Sequence, residues 1–154
     1  MDNIQAFDIA CAAILSDLYD SFPKPKLLDC ATLPLPWPDL AAMQASIASN
    51  ACDTQLQQAA QADYQAAKAL HAALIETAVA TVQFLTDEGF IRTGGRSGQR
   101  FSQVQLTSQG LAALRKTPDT LRTDTPSIAQ RIKDAITSGE AVGGIITMLL
   151  GAMK

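Results

Sequence analysis

Three glycines between two short apolar runs constrain this chain more than any other feature. Phe90-Ile91-Arg92-Thr93 and residues 100–106 flank Gly94-Gly95-Arg96-Ser97-Gly98-Gln99, where glycine supplies the positive φ values that a hairpin loop requires. In the second run Val104 and Leu106 are two apart, so both point to one face, toward a core. Upstream, Ala78, Val82 and Leu85 recur at helical spacing and the run ends at Gly89. Downstream, Thr107 is placed to cap a helix through Leu111 and Leu114 that Pro118 ends. Residues 76–114 therefore read as helix, hairpin, helix.

A chain of 154 residues is long enough for one domain with a real core. Its 47% hydrophobic fraction is rich in alanine and only 5% of residues are aromatic, which favours helices packed through small side chains over a β-sandwich. The expected fold is mainly α with a small β-hairpin. Ile4, Phe7, Cys11, Ile14, Leu15 and Leu18 predict a helix over 3–21, with Asp2 and Gln5 available to its first amides. Pro23 and Pro25 stop it, and Leu27-Leu28 suggests a short strand.

Pro34, Pro36 and Pro38 around Trp37 forbid a regular element before Asp39, and suggest an ordered lid, inserted over 30–53, whose tryptophan docks on the core. A polyproline ligand is the sharper alternative. Thr54 and Gln57 form a capping-box pair ahead of an alanine- and glutamine-rich segment without glycine or proline until Gly89. Ala66, Leu70, Leu74, Ala78 and Val82 lie at steps of four, each rotating by about 40° on a 3.6-residue helix. That stripe would wander, so a break near 72–77 is expected, with helices over 54–72 and 76–88. Thr125-Pro126 opens a helix carrying Ile128, Ile132 and Ile136 to Ser138. After Gly139 an apolar face continues through Val142, Ile145, Ile146, Leu149 and Met153. The organisation expected is a domain of residues 1–117 followed by a helical extension of 118–154.

The net charge of −3 conceals an asymmetry: residues 1–88 hold three basic and eleven acidic side chains, whereas 89–116 hold Arg92, Arg96, Arg100, Arg115 and Lys116 with no acid. Positive charge is concentrated on the hairpin and the helix after it. No basic region followed by an apolar one opens the chain, and the uncharged run 141–153 is too short to span a bilayer, so a soluble, cytoplasmic protein without a membrane partner is expected. Cys11, Cys30 and Cys52 are odd in number, with no CxxC and no histidine cluster, which indicates neither a disulfide framework nor a metal site. The glycines of the hairpin lack the lysine and following helix of a phosphate cradle. His71 stands alone in an alanine-rich segment and the acids show no paired spacing, so no catalytic residues, cofactor or enzyme activity are expected.

Phe84-Leu85-Thr86-Asp87-Glu88-Gly89-Phe90-Ile91, then the basic hairpin, then Val104-Gln105-Leu106-Thr107-Ser108-Gln109-Gly110-Leu111, resembles the winged-helix family of bacterial regulators. The likeness covers about 40 residues well, and 3–21 fits it more loosely. It implies that the helix before Gly89 is the recognition helix, that the hairpin is the wing, and that Thr107 caps the helix after it. On that reading Arg92, Arg96 and Arg100 would grip the backbone of double-stranded DNA, with Thr77 and Gln83 as base readers. The outer face of the recognition helix, Glu76, Thr77, Ala80, Gln83, Phe84 and Asp87, carries no positive charge. The second reading is therefore a protein-interaction module meeting another protein through Glu76, Ala80, Phe84 and Asp87. Paired regulators of this family often join through terminal helices, which implies a homodimer with Val142, Ile145, Ile146, Leu149 and Met153 at its seam. Core packing is the plainer use of the same apolar face.

Overall fold

The computed structural model describes residues 3–50, 52–115, 126–139 and 141–151. The expected caps at Asp2 and Thr125, the stop at Pro118 and Met153 of the apolar face lie outside those residues. The fold is mainly helical with a small antiparallel sheet.

Helix α1 (Asn3–Ser21) is the centre of the packing. Residues 10–15 are all buried, so this helix is covered around its full circumference. Its neighbours are α3 (Thr54–Asp87), α5 (Ile128–Ser138), α6 (Gly143–Gly151) and strand β4 (Arg100–Leu106). Ala10, Cys11, Ala12 and Ala13 keep its surface thin enough for several elements to approach at once. Ile4 departs from the expected core face and is 71% exposed, because its turn precedes the first buried position, Ala6.

The sheet has the order β1-β4-β2, with β1 at Lys26–Asp29 and β2 at Ile91–Arg92, and β3 (Gly95–Ser97) extends the hairpin along β4. The strand suggested by Leu27-Leu28 is present. The loop is shorter than the glycines implied. Ser97 pairs with Arg100, so the turn itself is only Gly98-Gln99, with Gly98 at φ 61. Between the pairs Lys26↔Val104 and Leu28↔Phe101, two residues of β4, Ser102 and Gln103, oppose the single Leu27 of β1, and Gln103 takes a positive φ of 50 at this bulge. The extra residue shifts the alternation by one, so that Phe101, Val104 and Leu106 all face the core.

Helix α3 runs unbroken for 34 residues, contrary to the break expected near 72–77. Ala66 and Leu70 do not belong to its buried stripe, and Leu70 is 45% exposed. The stripe is Ala67, Leu74, Ala78, Val82 and Leu85, whose spacing does not drift, so no break is needed. The N-cap is Asp53, whose carboxylate accepts from the amides of Gln55 (3.0 Å) and Leu56 (3.2 Å), in place of the expected Thr54–Gln57 pair. Nothing before Ala67 on α3 is buried. That part carries α2 (Leu40–Ser49), capped by Asp39 and itself without a buried residue. Trp37 sits on the core as expected, its indole N–H donating to Leu33 O at 2.7 Å and its ring 4.9 Å from that of His71. Of the described helices, α3 is long and apolar enough by length and composition to cross a membrane; its C-terminal half is packed on α1.

The end of α3 is locked to α4 (Ser108–Arg115) by Thr107. Its hydroxyl donates to Gly89 O (2.6 Å) and accepts from Gly110 N (3.0 Å), while its own amide donates to Phe90 O (3.0 Å). Helix α5 is capped by Ser127, which accepts from Gln130 N at 3.3 Å, and closed by Gly139 in the left-handed region. Val142, Ile146 and Leu149 are buried in the same core as α1, so three of the residues assigned to a dimer seam pack within the protomer. Burying such side chains is worth about 1.5–3 kcal/mol each, a stronger claim on them than a second chain can make.

Two stability predictions follow from this packing. A Cβ at Gly110 would stand 2.2 Å from Phe90 O, a backbone atom that cannot move aside, so Gly110→Ala should cost about 3 kcal/mol or more in urea unfolding. Leu149→Ala should cost about 2–5 kcal/mol, whereas Met148→Ala, at a side chain 48% exposed, should stay within about 0.5 kcal/mol. Equal effects at 148 and 149 would contradict the inward face assigned to α6.

Candidate functional site

The hairpin carries the charge that the sequence singled out, but the structure divides its three arginines. Arg96 pairs directly with Phe101 and its guanidinium lies over that ring, 5.7 Å from the centroid. Arg100 precedes Phe101 and so emerges on the opposite face. There it pairs with Asp29 of β1, Nε to Oδ2 2.7 Å, directly across the ladder. Beyond the bulge, Arg92 pairs with Gln105, which shares the outer face with Arg100 because Val104 and Leu106 turn inward. Arg92 Nε donates to Gln105 Oε1 at 3.1 Å, and the Gln105 amide in turn donates to Pro23 O.

These contacts decide which positive charge is available. Arg100 is neutralised by a carboxylate that also accepts from Ala31 N (3.0 Å) and Gln99 Nε2 (3.3 Å). The hydrogen bond from Arg100, followed by that from Ala31, holds the Asp29 carboxyl below its ordinary 3.8. Among the described residues no carboxylate forms an ion pair with Arg92, Arg96 or Arg115. The hairpin thus offers two uncompensated guanidinium groups, one on each face.

On the outer face of α3, Glu76, Ala80, Gln83 and Asp87 are exposed. Thr77 is half-buried and its hydroxyl donates to Ala73 O one turn back (3.0 Å), so it is already engaged within the helix. Phe84 is not a free aromatic: it stands edge-on to Phe7, centroids 5.3 Å apart. Of the remaining assigned residues on α6, Ile145 is half-buried.

Cys11 and Cys30 are buried, and burial first, with nearby Asp8 and Asp29 second, pushes their thiols up to about 12 and about 11. Neither supplies a thiolate nucleophile near neutral pH. Among the described residues no group of three or more histidine, cysteine, aspartate or glutamate side chains could hold a metal. His71 is a half-buried boundary residue against Trp37.

Asp29 and Gln105 escaped sequence reasoning, although they fix two of the three arginines. The Gln105 position follows from counting back along the hairpin from its turn, a signal that was present. Asp29 depends on a strand pairing 71 residues away in sequence and has no local signature.

The pairing has a pH signature. Asp29 titrates lower folded than unfolded, so its contribution is complete above its ordinary 3.8 and is lost as pH falls through the lowered value. The gap in urea midpoint between wild type and Arg100→Gln should therefore be constant near neutral pH and shrink below 3.8. A gap that grows on acidification would exclude the assignment. No family model, curated protein or solved structure matches this chain.

Proposed function

We propose that this chain is a cytoplasmic winged-helix DNA-binding protein that works as a dimeric transcriptional regulator and holds DNA chiefly by its phosphate backbone. The observation that carries the reading is a hairpin, seated between α3 and α4 in a sheet of order β1-β4-β2, whose Arg92 and Arg96 have no acidic partner among the described residues. Their placement on opposite faces suits a ribbon entering a groove of duplex DNA, where a phosphate strand lies on each side. Backbone contacts of this kind carry little sequence information. Gln83 is the exposed amide left to read bases, and Glu76 and Asp87 on the same face would repel phosphates. Pairing of two chains would use what the protomer core leaves uncovered, which on α6 means the exposed Met148 and the half-buried Ile145 and Leu150 at the edge of the core.

The acidic outer face of α3, with Glu76 and Asp87 exposed, supports a second reading as an interaction module for another protein. Anisotropy titrations against duplex DNA over a salt series separate the two. Under the DNA reading, Arg92→Ala and Arg96→Ala should each flatten the slope of log K against log salt by about 0.9, and Arg100→Ala should leave it nearly unchanged because Asp29 already compensates that charge. Absence of binding at low salt would remove the regulator and leave the interaction module.

A further inference from the structure

A groove of about 620 Å³ lies between α4 and the outer face of the sheet. Its apolar surface comes from the half-buried Phe22 and Leu111. Among the described residues its charged lining consists of Arg92 and Arg115, with no carboxylate, in a protein whose net charge is −3. Arg92 comes from β2 and Arg115 from the last turn of α4, so the two cations reach the groove from different elements.

Neither arginine is idle packing. The Arg92 guanidinium is oriented by Gln105, which is itself tied to Pro23 O, and this uses only one side of the fork. Arg115 has no acidic partner among the described residues. Thr107 lines the groove but its hydroxyl is committed to Gly89 O and Gly110 N, whereas Ser108 presents an exposed one beside it. A concave apolar floor with a few convergent polar groups, at this volume, is the ordinary form of a small-molecule site.

We propose that this groove binds a small organic dicarboxylate with an apolar spine. The spine would cover Phe22 and Leu111, and one carboxylate would meet each guanidinium, the charge-assisted pairing that arginine serves best. A simple inorganic anion would leave the floor wet, and a neutral apolar molecule would desolvate two cations without a partner. The inference does not rest on DNA binding.

Calorimetric titration of the full chain with suberate, with the diol of the same length, and with inorganic phosphate tests it. Suberate should bind with Kd below about 1 mM and at least about tenfold more tightly than either comparator. Amide NMR shifts should centre on Ser108 and Leu111. R92Q and R115Q should each weaken suberate by about tenfold or more while melting at the wild-type temperature, since both side chains are exposed. Equal binding of the diol or phosphate, shifts elsewhere, no binding of suberate, or a loss at only one arginine would overturn the proposal.

Discussion

Everything in this protein depends on α1 being enclosable. A helix buried on all sides must present side chains small enough for its neighbours to reach it together, and the row of alanines with Cys11 does so while Ile14, Leu15 and Leu18 fill the wider gaps. The C-terminal half of α3, the two C-terminal helices and the long strand are all defined by their contact with this one element. Larger residues at positions 10, 12 or 13 would push partners apart on several sides at once, so the cost would not be confined to one contact.

The local joints of the fold were legible. Thr107 as a cap, the hairpin, the inward side chains of β4 and the docking of Trp37 follow from residue chemistry within a few positions. What failed was every judgement that required knowing which neighbour lay opposite. Leu70 sits at a plausible helical spacing with Leu74 but faces solvent, and counting it as core created a drift that called for a break in α3. Val142, Ile146 and Leu149 read equally well as an inner face or a seam, because periodicity marks an apolar stripe and not its cover. The bulge at Gln103 reverses face parity along β4, so no alternation rule could place Arg92 and Arg100 on one side and Arg96 on the other.

The charge map is gentler than the sequence suggests. One ion pair stitches the acidic first half to the basic hairpin, Asp29 with Arg100; Asp17 takes Lys26 at 2.6 Å within the first half, and Asp20 takes Lys133 of α5. Exposed pairs of this kind add little to stability, about 0–1 kcal/mol each. Their larger effect is to decide which cations remain for a ligand, and among the described residues these include Arg92 on β2, Arg96 near the hairpin tip and Arg115 at the end of α4.

The overhang of α3 gives one continuous helix two different mechanical fates. At 1.5 Å per residue it is about 51 Å long, yet only the part from Ala67 onward is anchored by buried side chains. The amides near Val82 and Leu85 can open only when the core does. Those between the Asp53 cap and Ala67 are guarded by a ten-residue companion helix with no buried residue of its own, and can open by fraying. Hydrogen exchange along this helix would therefore trace a gradient, fast at its first turns and as slow as global unfolding at its last, marking where the protein's cooperative unit begins.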